Sequence, residues 1–232
     1  MFEVAIERGP KRRTFAQVQE WMGWLRSGKD EHTALHELLA TSSRYALVAA
    51  RAGVSFPLPT SPDDFTVVER VTGSAVTDYG APGVLSAWDT QPWQAEEIER
   101  CARLLQACWA TFDEALQLFP ISLQEVKPQR GRSPLAIRLH LVETDLMHLS
   151  AFGPPARPAD QHRLAEQEAG VREQLLVRLR AISPGEPHTP HRRYGFDWTP
   201  RFALRRSAWH VLDHAWELQA RLGQNPFPGS SP

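Results

Sequence analysis

From Gln94 onward the chain reads as four successive long amphipathic segments, and this run constrains the fold more than any other feature. EEIERCARLLQACWATFDEALQLF, SPLAIRLHLVETDLMHLSAFG, ADQHRLAEQEAGVREQLLVRLRAI and TPRFALRRSAWHVLDHAWELQARLG each place apolar residues at helical spacing. Each carries an apolar stripe that needs a partner, and four such segments predict an up-down four-helix bundle. Their ends are marked locally. Ser133 before Pro134 and Thr199 before Pro200 set a capping hydroxyl ahead of a proline at the first helical position, and Gly153 and Gly223 close two of the helices.

Upstream the periodicity differs. FEVAIE alternates as a half-buried strand would, and RTFAQV pairs with it across the turn-like RGPKR. After GWLRSGKDE, Leu35, Leu38, Leu39, Tyr45, Ala46 and Ala49 share one side of a helix that Gly53 ends, and FTVVERV returns to a strand. A strand-strand-helix-strand unit closing near residue 75 follows, with GSAVTDYGAPGVLSAWDTQPW as an ordered connector. The expected protein is therefore mainly α. It divides into a small α+β N-terminal domain with connector over 1–91, a bundle over 92–224 and a flexible tail over 225–232.

A hydrophobic fraction of 42% and a formal charge of -1 in 232 residues exclude a disordered chain and a globally basic nucleic-acid binder. The longest apolar runs are broken by charges before membrane-spanning length, and MFEVAIERGPKRR lacks the apolar stretch of a signal peptide. The expectation is a cytoplasmic protein without membrane or nucleic-acid partners, with a homodimer as one possible assembly. Cys101 and Cys108 sit two helical turns apart, roughly 10 Å along the axis, too far to bridge each other. They read as reduced, buried small hydrophobes.

The chemistry concentrates on the last helix, where His210 and His214 are one turn apart and project from one face. Leu204, Ala208, Val211, Ala215 and Leu218 follow bundle-core spacing, and each histidine precedes a core position. On the second helix His140 stands in the same offset beside the stripe Ile137, Leu141, Thr144 and His148. Three neutral imidazoles leave coordination positions open, the mark of a reactive rather than a closed structural metal site. Zinc, nickel, iron and manganese all accept such ligands. Glu143 and Asp145 lie near His140 as hydrogen-bond partners or a general base, while Asp213 lies about 100° around the helix from each histidine of the pair. For all three, a solvated surface charge is the competing reading. Arg201, Arg205 and Arg206, near Arg192 and Arg193, offer a place for a carboxylate or phosphate, against ordinary ion pairing. Trp209 and Trp216 form a stripe suited to packing against the N-terminal part. His32, His36, His148, His162, His188 and His191 show no ligand geometry and read mostly as solvent-facing.

HLVETDLMHLSAFG on the second helix and HVLDHAWEL on the fourth resemble the DinB superfamily of metal-binding four-helix bundles. The resemblance spans about residues 92–224. It implies one histidine ligand from the second helix and an H-x-x-x-H pair from the fourth, which falls on His140, His210 and His214. It also implies one of two activities: thiol S-transfer or isomerisation with a low-molecular-weight thiol such as bacillithiol or mycothiol, or metal-dependent hydrolysis of a small-molecule substrate. The β-hairpin, the G-W-x-x-x-G turn and the helix beginning among acidic residues resemble the HicB-like antitoxin fold over a shorter stretch. Toxin neutralisation does not carry over, because FTVVERV and TDYGAPG have no counterpart there. Two functional classes thus stand, a DinB-type metalloenzyme and a non-catalytic interaction or stress-related protein with a structural or vestigial metal site. No catalytic side chain is assigned.

Overall fold

The computed structural model describes residues 1–126, 128, 131–153, 164–188, 190–193 and 196–223. The tail over 225–232 and His162 lie outside the described residues. The chain is mainly helical with a four-stranded sheet near its N-terminus. Among the described residues no helix is long and apolar enough to cross a membrane.

Strands β1 (Phe2–Arg8) and β2 (Thr14–Val18) form the antiparallel hairpin read from their alternation, with Val4 opposite Val18 and Arg8 opposite Thr14. A third strand, β3 (Leu25–Gly28), then pairs antiparallel with β2, so the N-terminal unit has one more strand than the sequence pattern gives. The segment is only four residues long, too short for alternation to show. Helix α1 (Glu31–Arg51), capped where the Asp30 side chain accepts from the Thr33 amide, carries the chain over to β4 (Phe65–Thr72). β4 pairs parallel with β1, giving the order β3-β2-β1-β4. Leu38, Tyr45 and Ala49 are buried on α1, whereas Leu35, Leu39 and Ala46 only flank that face.

The connector is ordered. It holds α2 (Ala75–Tyr79), capped by Ser74 and closed by Gly80 at φ +108°, and a 3-10 turn at Ala87–Thr90. Helix α3 (Ala95–Gln117), the short α4 (Ile121–Gln124), α5 (Pro134–Leu149), α6 (Leu164–Arg180) and α7 (Pro200–Arg221) follow. The Ser133 and Thr199 hydroxyls accept from the Ala136 and Phe202 amides, as their place before proline predicts. Two short antiparallel strands, β5 (His191–Arg193) and β6 (Phe196–Trp198), precede α7. Helix α3 packs on α6 and α7, and α5 also packs on α6 and α7.

β2 is buried on both faces, which a half-buried hairpin would not be. Ala16 and Val18 join the main core beneath α1, while Phe15 meets Trp209 of α7 edge to face at 5.8 Å. The sheet is thus clamped between α1 and α7. Glu7 is fully buried on β1, where its carboxylate accepts from the Thr77 hydroxyl and the Gly83 and Val84 amides. One continuous apolar cluster runs from Phe2 and Trp24 through Tyr45 to Leu105, Leu175 and Leu218. Cys101 and Cys108 lie free and buried within it.

Candidate metal centre

Shared contacts fix the register of α5 against α7. His140 meets His210 and His214, Thr144 meets His210, and Asp145 meets Ser207. Rising numbers on one helix meet falling numbers on the other, so the two run antiparallel. This register brings together the three histidines picked out by spacing. Their ring centroids are 4.9 Å apart for His140 and His210, 5.8 Å for His140 and His214, and 4.8 Å for His210 and His214. One nitrogen from each lies within 4.8 Å of the others, a grouping that could hold a metal ion.

The hydrogen bonds around the pair on α7 determine which nitrogens point inward. The Thr144 hydroxyl donates to the Leu141 carbonyl at 3.0 Å, so its oxygen is left to accept from His210 Nδ1–H at 3.3 Å. Glu217 accepts from His214 Nδ1–H at 2.7 Å and also pairs with Arg221. In this tautomer each imidazole presents its Nε2 toward the other, and the two Nε2 atoms are 3.1 Å apart. Facing lone pairs at that distance repel until a proton or a cation lies with them, so the donor set fits a metal ion. Burial holds His210 well below the usual imidazole range, with His214 and His140 adding to it. Burial, Arg132 and His214 bring His140 to about 4. Both rings are neutral near pH 7, the form that coordinates metals. The hydrogen bond from His214, with the Arg221 charge beside it, keeps the Glu217 carboxyl below its ordinary value.

The three rings open onto a cleft of about 500 Å³. Trp209 and Arg206 line it from α7, and Tyr79, Gly80 and Ala81 of the connector also border it. The N-terminal part therefore contributes to the site.

The remaining sequence candidates separate. Glu143 is exposed on α5 and does not line the cleft. Asp145 is buried and bonds His148 and Ser207 instead of a ligand of the cluster. Asp213 borders the cleft but is tied to Arg26 of β3 at 2.9 Å. Arg201 is buried between Trp88 and Trp93 and paired with Glu97, and Arg205 is buried against Asp89 and Gln17. Both charges are already neutralised within the protein, the ordinary ion-pairing alternative. Arg206 alone of the three reaches the cleft. Trp209 and Trp216 pack on the N-terminal part, against Phe15 and beneath Arg26 respectively. His32 and His36 are exposed, but His148 is 1% exposed, contrary to the solvent-facing expectation, because Asp145 satisfies its Nδ1 inside the fold. Thr144 and Glu217 are the orienting residues that spacing alone passed over. Their signal was position, four residues after His140 and three after His214, on the same helical faces. Comparison of the chain with protein-family models, with curated proteins and with solved structures finds no match.

Proposed function

We propose that this protein is a metal-dependent enzyme of DinB type, in which His140, His210 and His214 hold a divalent cation and the reaction is thiol S-transfer or hydrolysis of a small molecule. In this reading α3, α5, α6 and α7 form an up-down four-helix bundle, and the N-terminal unit serves as its accessory domain. One observation carries the proposal. The Nε2 atoms of His210 and His214 converge at 3.1 Å with their Nδ1 atoms held by Thr144 and Glu217, at the floor of a cleft that leaves room for a reactant. A closed structural site would normally take a fourth protein ligand, and among the described residues only these three gather.

A divalent cation here lowers the pKa of a coordinated water or thiol toward neutrality. The chain's own residues orient and shield. Thr144 and Glu217 fix the two rings of α7, while Trp209 and the Tyr79 turn narrow the approach. A reacting thiol has to come from a substrate, because burial pushes Cys101 up to about 12 and raises Cys108 as well. The test is turnover by zinc-, nickel-, iron- or manganese-reconstituted protein, using glutathione-type thiols with an electrophile and a panel of esters and amides. Activity that needs the metal and is lost in His214→Ala supports the reading. Activity that survives both metal removal and His214→Ala sinks it.

A further inference from the structure

The histidine trio occupies one end of the cleft, and its other end is built by a different set of side chains. His148 lies two turns along α5 from His140, about 12 Å of axial rise. It is buried yet borders the cleft. Its Nδ1–H donates to Asp145 Oδ1 at 3.1 Å, and the Ser207 hydroxyl donates to the same oxygen at 2.5 Å. This fixes the tautomer with a lone pair on Nε2, and among the described residues nothing donates to that atom. Burial lowers the His148 pKa against the opposing pull of Asp145, so the ring is a neutral acceptor near pH 7.

Arg206 stands beside it. The Trp198 ring lies 5.6 Å from the His148 ring and 5.8 Å from the Arg206 guanidinium carbon. One Arg206 nitrogen donates to the Pro82 carbonyl at 2.9 Å. Unlike Arg201 and Arg205, it pairs with no carboxylate among the described residues. Glu7 favours its charge, but the Glu7 oxygens are occupied by Thr77, Gly83 and Val84. Burial lowers Arg206 only to about 10, so it remains a cation. The acid on the cleft wall, Asp213, is neutralised by Arg26.

We propose that this end of the cleft is a subsite for a small organic acid, whose carboxylate is taken by Arg206 and whose neighbouring hydroxyl, amine or thiol donates to His148 Nε2. The assignment as a substrate subsite rests on the reading of the cleft as an active site. The other arginine of the cleft, Arg132, precedes α5 and acts on His140 at the far end, so Arg206 is the guanidinium at this one. It matches the single charge and planar fork of a carboxylate, whereas a phosphate dianion here would call for further cations. The neutral His148 acceptor adds selection for a donor group on the same ligand.

The test is a titration of the full chain, metal-depleted and zinc-loaded, with lactate, propionate and inorganic phosphate, following the ring resonances of His148 and the heat of binding. Saturable lactate binding that shifts the His148 signals is the expected result, with propionate weaker. Arg206→Gln weakens both acids by about tenfold or more, and Arg206→Lys, which keeps the charge without the fork, covers the case of a misfolded glutamine variant. His148→Phe removes the preference for lactate over propionate. Absence of a saturable His148 shift at millimolar acid, equal affinity in folded Arg206 variants, or phosphate binding tighter than lactate overturns the proposal. Zinc uptake without acid binding defeats the subsite alone, whereas acid binding at Arg206 without uptake of any of the four metals leaves the subsite and defeats the metal centre.

Discussion

Replacing Asp89 with alanine tests how the helix that carries two of the three histidines is anchored. Arg205 of α7 donates from Nε to Asp89 Oδ1 at 3.0 Å and from Nη2 to Oδ2 at 2.7 Å, with the two side chains 2% and 0% exposed. Asp89 Oδ2 also accepts from the Ser86 amide at 2.7 Å and from its hydroxyl at 2.9 Å. Removing the carboxylate strands a buried guanidinium, a loss of about 3–5 kcal/mol. The Ser86 contacts add about 1 kcal/mol. A total of about 4–6 kcal/mol is a large share of the roughly 5–15 kcal/mol that folds a typical domain. At about 2–4 °C per kcal/mol for a chain of this size, Tm falls by about 8–24 °C. Urea unfolding followed by tryptophan fluorescence and circular dichroism measures the change. Asp89→Ala with Arg205→Met should lose less than the sum of the single variants, since no charge is left stranded. A cost below about 1 kcal/mol for Asp89→Ala, the range of exposed pairs, would refute the argument that this pair is a desolvated anchor.

Three other expectations follow from the same geometry. Glu217→Ala frees the His214 ring and should weaken zinc binding by about 10–100-fold in a competition titration with a chelating dye, and an unchanged affinity would remove Glu217 from the site. Cys101 and Cys108 should react with a disulfide reagent only as fast as the protein unfolds, so rapid modification of the native protein would contradict their burial. Gly28→Ala places a Cβ 2.6 Å from the Ala34 amide nitrogen and 2.8 Å from the Thr33 carbonyl carbon, where backbone cannot yield cheaply. A loss of about 1–3 kcal/mol is expected from denaturant midpoints, and a neutral result would show that the β3 to α1 junction relaxes.

The helices of the C-terminal part and the histidine pair at 210 and 214 were legible because both are short-range patterns, whereas His140 was placed with them by its matching offset on another helix. Apolar stripes recur along one segment, and the pair at 210 and 214 needs only one helical turn to converge. The features that were not legible depend on distant partners. For Arg201 and Arg205 the sequence leaves anion binding open beside ordinary ion pairing, and their partners Glu97 and Asp89, 104 and 116 residues earlier, are not visible in it. His148 sits on the apolar stripe of α5, and its burial becomes tolerable only with Asp145 one turn before it and Ser207, 62 residues after Asp145, completing the network. β3 escaped notice for lack of length. The second buried face of β2 escaped because α7, which covers it, comes nearly two hundred residues later; Gln17 and Arg205 are separated by 188 positions.

The central claim is that three imidazoles hold one metal ion. Its most direct test is elemental analysis of purified protein, prepared without chelator or a metal-binding tag, after exposure to zinc, nickel, iron and manganese in turn. His32 and His36, exposed with ring centroids 4.3 Å apart on α1, form a separate pair that can scavenge metal, so His32→Ala with His36→Ala is the reference chain. The account predicts one equivalent of metal in that reference, lost when His210→Ala is added while the circular dichroism spectrum persists. A reference chain that takes up none of the four metals, or that keeps its full equivalent after His210→Ala, contradicts it.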